Sequence, residues 1–234
     1  MYYGVKRFFD LFFSISGLLV IAPLFLITML ILKLTGEREI FYLQERMGLN
    51  NNPFFIYKFA TMLKNSPNIG GKTVTVRNDP RITMAGKYLR FTKMNELPQI
   101  LNVIKGDMSL VGPRPLLVSS FYKYSEAVQS IIYQNRPGIT GLGSLIFRDE
   151  EKLVTAYKSL GKDPLEYYRQ YIYPYKGQLE QWYFNNRSFR TDFIILFLTF
   201  WSLIDSKSEL VFKVLKNIPP KPFELTVDGV LSLQ

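Results

Sequence analysis

The stretch "VKRFFDLFFSISGLLVIAPLFLITMLILKLTGERE", residues 5–39, decides the architecture of this 234-residue chain. Residues 8–34 are almost wholly apolar, and Asp10, Pro23 and Lys33 are the main interruptions. A membrane-spanning helix needs about 20 predominantly apolar residues. A signal peptide has a shorter apolar core of roughly 7–15 residues, followed by a small-residue cleavage site. The stretch therefore predicts a membrane helix.

Two arrangements of this helix fit the residues. Lys6 and Arg7 precede the apolar run, and Lys33 and Arg38 close it, so both ends favour the cytoplasmic side. A helix that bends at Pro23 and returns to the same face satisfies both ends, because proline removes a backbone hydrogen bond. A straight span is slightly favoured by the residues alone, since spanning helices tolerate proline.

The composition restricts the chemistry of any active site. The chain has no Cys and no His, which excludes a thiolate nucleophile, histidine catalysis and the usual zinc site. Acid–base work must use groups such as Asp, Glu, Lys or Tyr, and a metal would need oxygen ligands, as Mg²⁺ does. The net charge is +10, and residues 44–114 contain 11 basic against four acidic side chains. Such an excess predicts an anionic partner, either nucleic acid, a phosphorylated molecule or a membrane surface, unless it is only a solvated basic surface.

The middle of the chain predicts mixed secondary structure. Residues 38–48 and 51–62 predict two short strands joined by the turn "GLNNNP", and residues 72–83 predict a third extended segment. Residues 85–108 predict helix up to Glu96 and again from the next residue. Two prolines predict an extended segment over residues 109–118.

The C-terminal third is rich in aromatic residues. Residues 119–142 predict a helix followed by a Gly/Pro turn. The helices of residues 163–186 carry a density of Tyr that suits either a soluble aromatic core or a membrane interface. The apolar run at 190–204 is too short to span a bilayer, which favours an interfacial helix. The tail after residue 206 contains three prolines and predicts irregular structure.

Three neighbouring segments could carry chemistry: "NDPRIT" (78–83), "NELPQ" (95–99) and "KGDMSLVGPRP" (105–115). Carboxylates close to arginines are a common arrangement for phosphoryl transfer, in which arginines neutralise phosphate oxygens. Arg114 stands between two prolines, which stiffen its backbone. Taken singly, each segment fits ordinary turn chemistry equally well.

Together with the apolar run, these segments make the chain resemble the bacterial sugar transferases, the monotopic phosphoglycosyl transferases. The resemblance runs in order through about residues 5–200, and its most specific part is "ELPQ…NV…GDMSLVGPRP". The matching pieces are "KRFFD" (6–10), "FYLQERMG" (41–48), "FFIYKFATM" (54–62), "TVRNDPRIT" (75–83), "GKYLRFTKMNELPQILNVIKGDMSLVGPRP" (86–115), "NRPGITGL" (135–142) and "RSFRTDFIILFLT" (187–199).

The resemblance implies a reaction and a location. Such enzymes pass a sugar-1-phosphate from a UDP-sugar to a polyprenyl phosphate, which releases UMP and begins a lipid-linked glycan. It implies the cytoplasmic face of a bacterial inner membrane, in contact with membrane lipid, and it allows a homodimer. It also implies that the N-terminal helix is re-entrant, bent at Pro23, and that residues 163–186 and 190–204 lie on the membrane surface.

The resemblance also implies site residues, with one departure at the centre. In the family an Asp precedes the Glu at the position of Glu96, attacks the β-phosphate and binds Mg²⁺ together with that Glu. Here the position holds Asn95, and Ala60 stands where the family often has Arg. The catalytic and metal-binding candidates are Asn95 and Glu96, and the substrate-binding candidates are Lys58, Arg81, Arg90, Arg114, Pro113 and Pro115.

Three interpretations of Asn95 remain open, because a neutral amide is a very poor nucleophile. Glu96 or Asp107 could take over the attack, or the lipid phosphate could attack directly. The chain could instead be an inactivated form of a working enzyme. It could finally be a family member that binds substrates without turnover, as a membrane scaffold.

We therefore expect an α+β fold, with a small mixed globular domain on the membrane surface, a re-entrant N-terminal helix and interfacial amphipathic helices. The expected domains are a membrane helix at 1–36, a catalytic domain at 37–206 and a tail at 207–234. We expect Mg²⁺ as cofactor and UDP-sugar and polyprenyl phosphate as substrates. We expect no nucleic acid partner, because the chain contains no recognisable nucleic-acid-binding motif.

Overall fold

The computed structural model describes residues 2–66, 79–205 and 210–233. Within these residues helices predominate and four short strands form two two-stranded sheets, β1–β2 and β3–β4, which confirms the α+β class. The helices are α1 (Tyr2–Leu34), α2 (Met84–Phe91), α3 (Gln99–Lys105), α4 (Val118–Phe121), α5 (Glu126–Ile132), α6 (Leu142–Ile146), α7 (Glu150–Ser159), α8 (Pro164–Tyr167), α9 (Tyr173–Asn186), α10 (Phe189–Ile204), α11 (Leu210–Val214) and α12 (Val227–Leu231). The strands are β1 (Phe41–Met47), β2 (Pro53–Phe59), β3 (Ser109–Val111) and β4 (Gly138–Thr140).

The chain forms two compact units. The membrane-helix unit comprises residues 8–45 and 54–108, and the C-terminal unit comprises residues 1–7, 46–53 and 109–234. The domain division expected from the sequence, with boundaries near residues 36 and 206, stays a prediction.

Helix α1 has the character of a membrane helix. Within the described residues it is the one helix that is long and apolar enough to cross a membrane, and only 17% of its most apolar window is buried. Its few buried apolar residues, such as Phe25 and Leu32, pack against Phe59 and Leu89 of the same unit. The helix continues through Pro23 without ending there, so the re-entrant bend stays a prediction.

The two strands expected around "GLNNNP" are confirmed as β1 and β2. The connection is a short 3₁₀ turn, Leu49–Asn51, in which Asn50 and Asn51 have left-handed φ angles of 55° and 59°. Asparagine tolerates this conformation better than most residues, so three consecutive Asn mark the turn well. The third extended segment lies mostly outside the described residues, and its end contributes an antiparallel bridge between Met62 and Ile82.

The expected helix of residues 85–96 ends earlier than the pattern predicts. Helix α2 stops at Phe91, and Lys93 has a left-handed φ of 61°. A separate 3₁₀ turn, Met94–Glu96, then precedes α3. The prediction of helix up to Glu96 is therefore wrong, because Lys seldom marks a left-handed helix end, which Gly or Asn usually forms.

The C-terminal unit contains a parallel strand pair that the sequence did not reveal. Strand β4, expected as a turn, pairs with β3 in the register Ser109↔Gly138 and Val111↔Thr140. The backbones approach so closely that a Cβ at Gly138 would lie 2.1 Å from the Gly112 nitrogen. Glycine here permits close packing rather than marking a turn.

The aromatic helices belong to the protein core. Tyr167, Tyr175 and Tyr183 are almost fully buried, and α8 and α9 are joined by a π-helical segment, Tyr168–Ile172. The Tyr167 and Tyr175 hydroxyls donate hydrogen bonds to the carbonyls of Glu224 and Pro219. The inner face of these helices is thus an aromatic core in which each of these two buried hydroxyls has a backbone partner, and their position on the membrane surface stays a prediction.

The tail is less irregular than its prolines suggest. Helices α11 and α12 form beyond residue 209, and Leu225 and Val230 are fully buried in the same core as Tyr167. Proline after a helix end stops that helix without preventing a later one. The chain after residue 209 therefore completes the hydrophobic core of the C-terminal unit.

Helix α10 has two faces of opposite character. Thr191, Asp192, Ile195 and Leu198 are buried within the C-terminal unit. The other face exposes a stripe of large apolar side chains, which we call the α10 stripe: Phe193, Phe197, Phe200, Trp201 and Ile204. Water disfavours such a contiguous aromatic surface, so this face is suited to an apolar partner.

A buried polar cluster joins the beginning of α1 to α10 inside the C-terminal unit. Lys6 Nζ lies 2.5 Å from Asp192 Oδ2, and both side chains are about nine-tenths buried. The Tyr2 hydroxyl donates to the same oxygen at 2.8 Å, and the Tyr183 hydroxyl donates to Oδ1 at 2.7 Å. These donors compensate the loss of hydration that a buried carboxylate suffers.

Candidate active site

The Asn95–Glu96 pair occupies the 3₁₀ turn between α2 and α3 in the membrane-helix unit. Lys58 of β2 faces it, with Nζ 3.8 Å from Glu96 Oε1. This distance is that of an ion pair rather than a hydrogen bond. Both side chains are partly exposed, at 17% for Lys58 and 31% for Glu96, so a ligand can reach them. The structure thus brings together two of the residues expected from the sequence.

The side chain of Asn95 has an unusual environment. Its oxygen Oδ1 is buried and has no hydrogen-bond partner among the residues that the structure describes. Most buried polar atoms are paired, so this acceptor has the capacity to take a donor or a cation from a ligand. A carboxylate at this position would be less stable than the amide without such a ligand, because an isolated buried charge is costly.

The chemistry of the pair fits a magnesium ion. The orphaned Asn95 oxygen and the Glu96 carboxylate are adjacent hard oxygen ligands of the kind that Mg²⁺ takes. Among the described residues there is no group of three or more acidic side chains that could form an all-protein metal site. Mg²⁺ commonly uses one or two protein ligands and completes its shell with water and substrate phosphates. The pair therefore suits a metal that arrives with a phosphorylated substrate.

Arg90 of α2 lies near this pair in the same unit. Its Nε donates to Thr61 Oγ1 at 2.8 Å. Partial burial lowers the pKa of the Arg90 guanidinium, while the charges of Asp79 and Glu96 raise it. Arginine nevertheless keeps its charge at any physiological pH, so Arg90 remains a cation close to Glu96.

Arg81 is held as part of the framework. Its Nε and Nη2 donate to the two oxygens of Asp79 at 2.9 and 2.6 Å, and only 5% of Arg81 is exposed. A bidentate buried pair of this kind uses the donors that would otherwise bind phosphate. A substrate-binding role for Arg81 stays a prediction, and the geometry favours a structural role.

Sequence reasoning missed Asn102, which fixes the element that carries Lys58. Asn102 is fully buried on α3, its amide nitrogen donates to the Phe55 carbonyl at 2.8 Å, and its oxygen accepts from the Tyr57 N–H at 2.9 Å. The same nitrogen contacts Asp107 Oδ2 at 3.3 Å. An Asn on the apolar face of a short helix was the available signal, because a buried amide needs several partners.

Asp107 has its own cation. Its Oδ2 lies 3.1 Å from Lys105 Nζ, besides the contact with Asn102. A carboxylate paired twice is a poorer nucleophile than a free one, because attack would cost both interactions. A catalytic role for Asp107 in place of Glu96 is thus less favoured by the geometry.

Arg114 belongs to the C-terminal unit, in the loop after β3. Its side chain is exposed, whereas Pro113 and Pro115 on either side are buried. The loop backbone is tied at several points: the Gly138 N–H donates to the Pro113 carbonyl at 2.9 Å, and the Arg46 guanidinium donates to the Pro115 carbonyl at 3.2 Å. The prolines therefore anchor a backbone on which the Arg114 side chain is exposed to solvent.

The matches to known proteins identify the family. The model of the family described as bacterial sugar transferase matches residues 1–206. The chain belongs to this family. It is therefore an enzyme, a phosphoglycosyl transferase, and this membership favours catalysis over the scaffold alternative.

Individual relatives give the same result. The sugar transferase is 41% identical over 146 residues to the exopolysaccharide production protein PSS of Rhizobium leguminosarum bv. phaseoli, covering 60% of this chain and 73% of that protein. It is 37% identical over 157 residues to the undecaprenyl-phosphate glucose phosphotransferase of Komagataeibacter xylinus, covering 62% and 30%. It is 31% identical over 209 residues to the undecaprenyl-phosphate galactose phosphotransferase of Salmonella typhimurium, covering 83% and 39%. The two phosphotransferases are thus much longer than the part they share with this chain.

Proposed function

We propose that this sugar transferase moves a sugar-1-phosphate from a UDP-sugar to polyprenyl phosphate and so begins a lipid-linked exopolysaccharide unit. Relatives named as undecaprenyl-phosphate phosphotransferases and as exopolysaccharide production proteins support the acceptor and the outcome. The observation that carries the proposal is the Glu96 carboxylate beside Lys58 and Arg90 on an accessible turn. Cations next to an acidic metal ligand suit a diphosphate substrate.

The reaction exchanges one phosphorus–oxygen bond for another. An oxygen nucleophile forms a bond to the β-phosphorus of the UDP-sugar, and the bond from that phosphorus to the oxygen bridging the two phosphates breaks. UMP leaves with the bridging oxygen. If the lipid phosphate is the nucleophile, the sugar phosphate is then on the lipid. If a carboxylate is the nucleophile, the lipid phosphate next attacks the same phosphorus, and the bond from that phosphorus to the carboxylate oxygen breaks. Because Asn95 is a neutral amide, the nucleophile is either the lipid phosphate itself or the Glu96 carboxylate.

Each residue of the site has a part in this scheme. Asn95 and Glu96 would hold Mg²⁺, which when bound supplies positive charge against the diphosphate. Lys58 and Arg90 would neutralise phosphate oxygens near the turn. Arg114, which belongs to the C-terminal unit, has the planar guanidinium that suits a nucleotide phosphate. Arg114 loses little backbone freedom on binding, since buried prolines flank it.

A screen of UDP-sugars tests the function directly. The purified protein in detergent or vesicles receives polyprenyl phosphate, Mg²⁺ and one UDP-sugar at a time, and UMP is measured. Release that requires both polyprenyl phosphate and one sugar class supports the proposal. Binding of UDP-sugars without UMP from any of them would instead favour the scaffold alternative.

Replacing Asn95 by Asp should restore a covalent route. The new carboxylate lies where Asn95 Oδ1 is buried beside Glu96, so Mg²⁺ can compensate its charge. We expect an adduct of one sugar phosphate by intact mass after UDP-sugar alone, and UMP release faster on the order of tenfold, or about 1.4 kcal/mol of barrier. The wild type is the comparison, and it should show no adduct if the lipid phosphate attacks directly. An equal adduct in the wild type would assign the attack to another carboxylate.

The exposed apolar surfaces support a place at the membrane. We propose that α1 enters the bilayer from the cytoplasmic face of the inner membrane and that the α10 stripe lies at the lipid–water interface. Helix α2 has a similar exposed row, Met84, Tyr88 and Phe91, beside the exposed Lys87. Apolar side chains next to basic ones are typical of interfacial helices on anionic lipid.

The fluorescence of Trp201 can report on this contact. Trp201 belongs to the α10 stripe, and the other tryptophan, Trp182, is partly buried. In a Trp182→Phe variant reconstituted with brominated lipid, we expect strong quenching of Trp201 emission, because bromine quenches only at contact. The matched Trp201→Phe variant should show much weaker quenching. Equal quenching in the two variants would contradict the interfacial placement.

A further inference from the structure

The loop that carries Arg114 is held by a side chain that lies outside the segment "GPRP" (112–115). Tyr133, at the end of α5, is fully buried. Its hydroxyl donates to the Arg114 carbonyl at 2.8 Å and accepts from the Leu116 N–H at 2.8 Å. One hydroxyl thus satisfies a backbone acceptor and a backbone donor on both sides of Pro115.

Tyr133 is itself held firmly. Its ring packs on Phe121 with centroids 5.8 Å apart, and its carbonyl accepts the Asn50 N–H at 2.7 Å. Burial raises the pKa of the Tyr133 hydroxyl far above its ordinary value, so the group stays protonated and keeps donating. The hydroxyl therefore keeps one position and one protonation state.

The loop depends on such side-chain hydrogen bonds because it has little regular structure. Residues 114–117 belong to no helix or strand, and the neighbouring bonds come from Arg46, Gly138 and Met47. Removing the Tyr133 hydroxyl would leave the Arg114 carbonyl and the Leu116 N–H without their buried partner. Small displacements of a positioned charge cost much of its effect on a bound phosphate.

We propose that Tyr133 is a positioning residue that orients Arg114 for the diphosphate of the nucleotide donor. The inference rests on the proposed function, in which Arg114 binds nucleotide phosphates. Tyr133 touches no substrate, and acts only through the backbone of the loop. Its loss should therefore weaken donor binding more than it slows turnover or acceptor binding.

A matched pair of tyrosine variants tests the proposal. Tyr133→Phe removes the hydroxyl that holds the loop, and Tyr175→Phe removes an equally buried hydroxyl that donates to the Pro219 carbonyl. Both should lower the melting temperature to a similar degree. We expect the KM for UDP-sugar to rise roughly five- to thirtyfold in Tyr133→Phe alone, with kcat and the KM for polyprenyl phosphate within about twofold of wild type.

A double variant decides whether the effect passes through Arg114. In an Arg114→Ala background, Tyr133→Phe should change the donor KM no further, because residues acting through one group are not additive. An additive effect, or a Tyr133→Phe donor KM equal to that of Tyr175→Phe, overturns the proposal. If Arg114→Ala leaves the donor KM unchanged, the proposed role of Arg114 fails as well, and absence of UMP release in the wild type refutes the function itself.

A second variant keeps the test decisive if Tyr133→Phe does not fold. Arg46→Met removes the guanidinium that donates to the Pro115 carbonyl on the same loop. We expect it to raise the donor KM in the wild-type background and not in the Arg114→Ala background. A change in both backgrounds would show that the loop geometry does not act through Arg114.

Discussion

Replacing Glu96 by Gln should reduce UMP release by about a hundred- to ten-thousandfold. The substitution keeps the shape of the side chain and removes the charge that pairs with Lys58 at 3.8 Å. It also removes the one carboxylate in the Asn95–Glu96 turn, so neither Mg²⁺ nor a phosphorus atom would meet an acidic oxygen there. UMP release from UDP-sugar and polyprenyl phosphate is the measurement.

The control for this prediction is Glu39→Gln. Glu39 belongs to the same unit and pairs with Lys64 at 3.0 Å, but the pair is exposed. Exposed ion pairs contribute little, so its activity and stability should match the wild type. If Glu96→Gln and the wild type release UMP at equal rates, Glu96 has no part in the mechanism. The lipid phosphate would then attack directly, without the assistance of this carboxylate.

Replacing Asp192 by Ala should destabilise the protein by about 3–5 kcal/mol, the usual cost of stranding a buried charge. The variant leaves the buried Lys6 ammonium and the hydroxyls of Tyr2 and Tyr183 without their acceptor. Such a loss is a large share of the stability of a typical domain. The melting temperature in detergent, followed by circular dichroism, is the measurement.

Two further variants serve as controls for the Asp192→Ala prediction. Asp149→Ala breaks the exposed pair with Lys152 and should cost less than about 1 kcal/mol. The double variant Lys6→Met, Asp192→Leu removes both charges and should recover much of the stability lost in Asp192→Ala, because no charge is left buried alone. If Asp192→Ala has the same melting temperature as Asp149→Ala, the buried cluster does not hold the beginning of α1.

The sequence patterns that correctly predicted the structure are those that depend on residues close together in the chain. The apolar run of residues 8–34, the Asn-rich turn and the extended segment before Arg114 each depend on neighbouring residues, and all are found. The proximity of Glu96 and Lys58 could also be expected, since the sequence placed both residues in one candidate site. The helix end at Phe91 was missed, because a left-handed Lys93 has no clear local signal.

The tyrosine-rich helices show where local pattern is ambiguous. The same density of Tyr suits a membrane interface and an aromatic core, because each side chain has an apolar body and a polar tip. Only the positions of distant acceptors, the carbonyls of Pro219 and Glu224, decide that Tyr175 and Tyr167 point inward. These acceptors lie 44 and 57 residues away in sequence, which no local pattern reaches.

By itself, the sequence determined the long apolar helix and the family, because composition and motif identity are properties of residues in order. The tertiary structure decided which charged side chains are buried and which are exposed. It buried Arg81 against Asp79, left Arg114 exposed between buried prolines and joined Lys6 to Asp192 across 186 residues. Burial and long-range pairing depend on how the chain packs, and they determine whether a charged side chain stabilises the fold or remains available to bind phosphate.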